Sequence, residues 1–206
     1  MSYPRLGIPD VDDLVGRGVF YGAGTSEISA MSGCRVSVAG AGNSAGQAAC
    51  ALAAAGAEVT LLGRGNDLSA SMSDYLVQQI MNTSRLSVRT GAQVSGAIGD
   101  QQLEALVVDD HGRTATVDAD AVFVFIGARP HTDWLRGTLI LNAQGFILTG
   151  RDLPPEHPAA WLEASSPGVY AAGDIRQGSI KRVAAAVGEG STAAMLARDY
   201  SSRPRH

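Results

Sequence analysis

The sequence predicts an α/β fold: a parallel βαβ unit with a small antiparallel element, followed by a second, shorter α/β portion. Three observations carry that prediction. "RVSVA" (35–39) runs into Gly40-Ala-Gly-Asn-Ser-Ala-Gly46 and the helical pattern "QAACALAAAGA", after which "EVTLLGR" (58–64) follows as the next strand. "AVFVFIG" (121–127) is the near-continuous apolar run of a strand buried on both faces. Beyond Gly127-Ala-Arg-Pro130 the chain turns loop-rich, which places a domain boundary near 128–132 and divides residues 1–130 from 131–206.

Taken in order, residues 1–18 read as an irregular lead-in punctuated by Pro4, Gly7, Pro9, Gly16 and Gly18. The segment "GVFYGAGTSE" (18–27) reads as a small-residue loop. Gly56 stops the first long helix at the usual C-terminal position. "SMSDYLVQQIMN" (71–82) predicts an amphipathic helix, with Tyr75, Leu76, Ile80 and Met81 at helical spacing. Residues 86–95 and 103–109 alternate like strands of the small antiparallel element. Downstream, Pro154, Pro155 and Pro158 mark a loop leading to "GVYAAGDI" (168–175), and an Ala-rich, small-faced helix closes the chain at about 182–199.

Composition narrows the function classes. A chain of 206 residues, 45% hydrophobic and 17% charged, can bury a real core and is globular. Its 25 glycines exceed the usual share of about 7% and favour tight turns and close backbone approach to a ligand. A formal charge of −4 without a basic cluster argues against nucleic acid or an anionic membrane as partner. With no apolar leader and no apolar run near the ~20 residues of a membrane span, a soluble cytoplasmic protein is expected. Cys34 and Cys50 form no CxxC and read as buried structural thiols. His111, His131, His157 and His206 lack metal-ligand spacing, neither Tyr75 nor Tyr170 has a lysine four residues on, and no G-x-S-x-G occurs. Trp134 and Trp161 read as packing anchors.

The stretch Gly40-Ala41-Gly42-Asn43-Ser44-Ala45 has the form GxGxxA between a strand and a helix, the Rossmann-type signature of NAD(P) binding. Gly40 permits the tight turn, Gly42 lets backbone approach a pyrophosphate, and small Ala45 lets helix and strand pack closely. Asn43 and Ser44 open the helix whose N–H groups face the phosphates. The second strand ends in Leu62-Gly63-Arg64-Gly65-Asn66, without the acidic residue of an NAD site, so Arg64 favours a 2′-phosphate and hence NADP(H). The alternatives are a bare structural turn and a solvated loop cation.

Seven segments, "GRGVFYGAGT", "VAGAGNSAGQAA", "EVTLLGR", "AVFVFIGARPHTDWL", "GFILTG", "SPGVYAAGDI" and "KRVAAAVGEGSTAA", together resemble, in the same order, the thioredoxin-reductase family of two-dinucleotide flavoproteins. The resemblance implies an NADPH-binding domain at 1–130 and the C-terminal portion of an FAD-binding domain at 131–206. It implies that Asp174 hydrogen-bonds the ribityl chain, that the backbone of Gly173 and Ile175 approaches the FAD pyrophosphate, and that Lys181, Arg182 and Val183 lie beside the flavin ring. A cation there stabilises the anionic reduced flavin; the alternative for Lys181 and Arg182 is solvated charge at a helix start. Gly127 is counted among the cofactor-binding positions.

Three departures from the family pattern shape the expected function. Gly22 and Thr25 stand where the family keeps its redox cysteines, and the acid that follows them is absent, so no catalytic residue is assigned and dithiol reduction is not expected. After the second strand only Arg64 remains of the family's arginines, with Gly65 and Ser69 at the others. The family's N-terminal FAD segment, with its own GxGxxG, is missing, so the chain reads as a fragment, a truncated gene product or half of a complementing pair; the resemblance separately implies a homodimer. The expected activity is hydride transfer from NADPH to FAD, with electrons passing directly to a small molecule or a small electron-carrier protein. The alternative is a module that binds or senses NADP(H) without turnover.

Overall fold

Strand residues 35–39 are buried on both faces after Arg35, as the apolar run requires of a central parallel strand. The computed structural model describes residues 2–157 and 159–202, so Pro158 and His206 lie outside the described residues. It divides into two units: Tyr3–Gly127, and Ser2 with the described residues from Ala128 onward.

The first unit runs α1 (Pro9–Asp12), β1 (Val19–Tyr21), α2 (Thr25–Ala30), β2 (Arg35–Ala39), α3 (Asn43–Ala54), β3 (Glu58–Gly63), α4 (Asp74–Met81), β4 (Leu86–Thr90), β5 (Ala92–Ile98), β6 (Ala105–Asp110), β7 (Arg113–Asp118) and β8 (Ala121–Val124). Five strands form one parallel sheet in the order β1-β8-β2-β3-β4, and three form an antiparallel sheet, β5-β6-β7. Register pairs Val36 with Val59 on one side and Ala121 on the other.

One core lies between the parallel sheet and its helices. There α3 buries Ala45, Ala49, Leu52 and Ala53 with Val38, Leu61 and Phe123, while α4 contributes Leu76 and Ile80. Each such Leu, Ile or Phe stabilises the fold by roughly 1.5–3 kcal/mol. The α3 face is Ala- and Gly-rich because its neighbours sit close: a Cβ on Gly46 would stand 2.8 Å from Leu76 Cδ2 and from Met72 Cε. The opposite face buries Val19, Leu62, Val122 and Val124 with Val11 and Leu14 of the lead-in and Leu103 and Leu106 of the antiparallel side.

Several sequence expectations change. The stretch 86–95 divides at Gly91: β4 joins the edge of the parallel sheet, and only β5 belongs to the antiparallel one. Alternation of side chains has the same period at either sheet edge, so pairing alone decides. β7 is an addition to the expected strands; the Gly112 N–H bonds Asp109 Oδ1 at 2.7 Å and turns the chain back into it. The 18–27 segment is not a plain loop, since it holds β1 and the start of α2. The lead-in is tied down as well: Tyr21 OH accepts from the Leu6 N–H at 2.8 Å and donates to Asp12 Oδ1 at 3.1 Å, and burial first of all pushes this phenol up. Helix α4 starts at Asp74, and Tyr75 and Met81 face solvent at 64% and 71% exposure. β3 ends at Gly63, and β8 ends at Val124, three residues short of its apolar run.

At the amino edge of the sheet, Arg35 binds Asp120 through Nε, Nη2 and its own backbone N–H, and Asp118 through Nη1 at 2.8 Å. The Arg35 guanidinium, more than any other cause, holds the Asp120 carboxyl below its ordinary value.

In the second unit, no strand ladder occurs among the described residues, and single bridges such as Leu141–Ile147 and Ile147–Arg176 hold the loops. Leu135, Leu139, Ile147, Ala164 and Ala171 form a small core. The 168–175 segment ends in a 3-10 turn, Gly173–Ile175, rather than at the end of a sheet strand; its extended part is bridged to the preceding loop at Glu163–Tyr170. The helix α5 (Val183–Ser201) follows. Trp134 and Trp161 lie exposed instead of anchoring the core, with Trp134 Nε1 donating to the His131 carbonyl at 3.1 Å.

Candidate functional site

In a parallel sheet, the chain leaves every strand at one edge, and ligands settle there where strand order reverses. In the first unit this reversal falls between β2, whose successor β3 lies to one side, and β8, which lies to the other. The Gly40 turn leaves β2 at that point. Gly40 has φ +146°, and a Cβ on it would strike the Phe125 carbonyl just past β8, so only glycine fits. The turn is anchored from both neighbours, since the Gly40 N–H donates to the Leu62 carbonyl at 2.9 Å and the Phe125 N–H to the Ala39 carbonyl at 2.8 Å.

Gly42 caps α3 with φ −89°, no side chain satisfies the helix start, and a Cβ at Gly42 would meet nothing within 4 Å. The first-turn N–H groups of a helix have no intrahelical acceptor, and here they open onto free space beside the positive end of the dipole. That cradle fits a dinucleotide pyrophosphate. Ala45 is fully buried, as close helix–strand packing requires, while Ser44 is exposed. Asn43 proves to be a brace: its Oδ1 accepts from the Ser73 N–H at 2.9 Å and from Ser73 Oγ at 3.1 Å. Ser71 Oγ donates to the Ala41 carbonyl at 2.8 Å, so the loop before α4 is laced to the turn. Neither serine belongs to a motif that the sequence displays.

Arg64 stands exposed immediately after β3, with no ion pair among the described residues. Ser69, at one of the missing arginine positions, is committed elsewhere. Its hydroxyl and its N–H both donate to Asp67, and these bonds, the hydroxyl's first, hold that carboxyl below its ordinary value. Gly127 is exposed three residues past β8. Gly22 and Thr25 reach the same carboxyl edge from β1. The Gly22 N–H donates to the Val124 carbonyl at 3.2 Å, and Thr25 opens α2. Neither carries sulfur, and Cys34 and Cys50 are free thiols; Cys50 is buried and Cys34 partly so.

The second unit carries its own groove of about 670 Å³, lined by Ala172–Ile175, Lys181–Val183, Ala186, Val187 and Gly190. That volume lies in the usual range of small-molecule sites. Gly173 has φ +71°, and its absent Cβ leaves the turn free to press on Ala186. Asp174 and Arg182 are exposed, Ile175 is half-buried, and Val183 is 83% exposed at the start of α5. Lys181 Nζ sits 4.6 Å above the Phe146 ring, a cation–π contact that holds its charge at the groove. This cradle of small residues with two cations, Lys181 and Arg182, and one free carboxylate, Asp174, fits the diphosphate and polyol portion of a flavin dinucleotide. Two partners that the sequence did not point to, Arg176 and Glu189, are buried beneath it, each 9% exposed.

No group of three His, Cys, Asp or Glu among the described residues could hold a metal ion, and no helix there is long and apolar enough to cross a membrane.

Comparison with known proteins shows the family. Residues 2–190 match the family described as pyridine nucleotide-disulphide oxidoreductase. The chain is 30% identical over 204 residues to the F subunit of alkyl hydroperoxide reductase from Staphylococcus epidermidis, covering 98% of this chain and 38% of that protein. It is 32% identical to the corresponding protein of Pseudomonas aeruginosa, covering 97% and 36%. Among solved structures, T. acidophilum thioredoxin reductase superposes with a TM-score of 0.77 at 28% identity, over 98% of this chain and 64% of that one. The enzyme from Lactococcus lactis gives 0.78 at 23% identity, covering 97% and 63%, a likeness of fold. The chain thus spans little more than a third of these curated relatives and under two thirds of these structures. Members of the family use FAD and NAD(P)H.

Proposed function

The chain belongs to the pyridine nucleotide-disulphide oxidoreductase family, and we propose that it is a flavin-dependent NAD(P)H oxidoreductase that works without a disulfide relay. The observation that carries this reading is the carboxyl edge of the parallel sheet. It keeps a glycine cradle at Gly40–Ala45, yet positions 22 and 25 beside it are glycine and threonine. A relay needs two sulfurs within bonding distance.

In this reading residues 1–130 bind NADP(H). The amides of Asn43, Ser44 and Ala45 take the pyrophosphate, the room at Gly42 admits it, Arg64 takes the 2′-phosphate, and Gly127 leaves space at the same edge. Residues 131–206 hold FAD: the Gly173–Ile175 backbone faces its diphosphate, Asp174 accepts from ribityl hydroxyls, and Lys181–Val183 flank the ring. When bound, the two groups supply hydride transfer from nicotinamide to flavin. The protein supplies orientation and a fixed positive charge at Lys181. The acceptor is a small molecule or a small electron-carrier protein that meets the flavin directly, in the cytoplasm. A second copy of the chain, or a separate N-terminal FAD segment, is the partner that would cover the groove.

The test is anaerobic addition of NADPH to the purified chain supplied with FAD. Bound flavin that bleaches supports the reading, and a chain that takes up no flavin and bleaches none sinks it. One observation favours a second reading: the open wall of the groove, with Val183 and Val187 largely bare. There the chain binds or senses NADP(H) at the Gly40 turn and turns nothing over. Calorimetric titration that shows NADPH binding with no flavin uptake would select it.

A further inference from the structure

Helix α5 is 19 residues long, and its one buried residue is a glutamate. Glu189 Oε2 accepts from the Gly173 N–H at 2.7 Å and from Arg176 Nε at 3.2 Å, while Oε1 accepts from Arg176 Nη2 at 2.5 Å. Arg176 also donates through Nη1 to the Gln177 carbonyl at 2.8 Å, and its backbone N–H closes the turn onto the Gly173 carbonyl at 3.0 Å. Every polar atom of this pair that lies toward the turn is therefore used. A buried ion pair is seldom the most stabilising filling for a space, because desolvation cancels most of the attraction. An apolar pair would hold α5 as well or better. It would leave the Gly173 N–H, which is buried, without an acceptor, and an orphaned buried donor costs about 1–3 kcal/mol.

Taken together, these contacts describe a clamp on one backbone group. We infer that Glu189, held by Arg176, is a positioning residue for the Gly173–Ile175 turn: by capturing the Gly173 N–H it fixes the turn in the shape that admits a flavin dinucleotide to the groove. Arg176 performs a second service. It neutralises the carboxylate directly beneath a site for a dianionic diphosphate, so the floor of the groove does not repel its ligand. The flavin part of this inference rests on the function proposed above; the clamp on the turn does not.

Two double variants separate the acceptor from the charge and the packing. Arg176→Gln with Glu189→Gln is neutral but keeps an amide oxygen for the Gly173 N–H. Arg176→Met with Glu189→Met keeps comparable volume and removes the acceptor. Both avoid leaving a lone buried charge, so both are expected to fold, which circular dichroism verifies. Hydrogen exchange of the peptide spanning 170–178 and the affinity for added FAD are then measured on the whole chain.

The expected result is parent-like exchange and FAD affinity within about threefold for the Gln pair. The Met pair should show at least about tenfold faster exchange at Gly173 and a similar loss of FAD affinity, since one hydrogen bond's worth of orphaned donor is about a factor of ten. A purely space-filling role predicts the same behaviour from both pairs, and that outcome overturns the inference. If the parent takes up no FAD, the flavin reading has failed and exchange alone decides. Loss of protection confined to the Met pair upholds the clamp, and equal exchange in all three proteins overturns it.

Discussion

Gly40 and Gly42 carry the same motif letter and are predicted to fail in opposite ways when each becomes alanine. At Gly40 the backbone lies at φ +146°, and the new Cβ would press on the Phe125 carbonyl. A non-glycine residue in that conformation costs about 1–3 kcal/mol, and the steric contact adds roughly 1–3 kcal/mol. A loss of about 2–6 kcal/mol lowers the melting temperature of a unit this size by about 6–18 °C. At Gly42 the backbone has φ −89° and a Cβ would meet nothing within 4 Å. Replacing the glycine there trims unfolded-state entropy but makes a poorer N-cap, and the two effects, each up to about 1 kcal/mol, offset, so stability changes little. In the proposed reading the methyl instead intrudes on the open space beside the α3 start that the pyrophosphate would use. Gly42→Ala is therefore expected to melt like the parent while its NADPH affinity falls at least about tenfold, about 1.4 kcal/mol. Thermal melting and calorimetric titration on the two variants measure both quantities. If Gly42→Ala melts as low as Gly40→Ala, or binds NADPH as the parent does, the assignment of the two glycines is wrong.

Three further outcomes are expected. Arg64→Ser should weaken NADPH several-fold and leave NADH unchanged, since only the former carries a 2′-phosphate; equal losses for both would place Arg64 away from the ribose. Gly46→Val puts branches where a Cβ already stands 2.8 Å from Leu76 Cδ2 and Met72 Cε, and should cost about 1–3 kcal/mol in a urea titration. Arg35→Ala should lower the melting temperature at neutral pH and progressively less in acid. Asp120 is held below its ordinary value by Arg35, so its contribution is complete above the unfolded carboxylate value, near pH 3.9, and is lost as pH falls through the lowered one. A gap between the melting curves that persists unchanged at pH 2 would contradict this.

The order βαβ, the glycine turn at 40–45 and the apolar run at 121–127, of which the first four residues are strand, were legible in the sequence because each rests on local chemistry. Period, glycine placement and an uninterrupted apolar run need no partner to be recognised. The missing sulfur at Gly22 and Thr25 was legible only through the family resemblance, which implies where the redox cysteines would stand. What needed the tertiary structure was every choice between partners. Residues 86–90 and 92–98 alternate alike, and only pairing put the first beside β3 and the second beside β6. Asn43, which sequence reasoning set among the phosphate-binding residues, spends its side chain on Ser73, thirty residues away. Arg176 and Glu189 gave no signal at all, because two opposite charges 13 residues apart ordinarily describe solvated surface. Folding α5 back over the Gly173 turn buries both, and burial is what converts a pair of surface letters into a device that holds one backbone N–H in place. The sequence by itself determined where the glycine turns at Gly40 and Gly173 fall; the three-dimensional packing decided which side chains brace those turns, because a contact between distant residues exists only once the chain between them has folded.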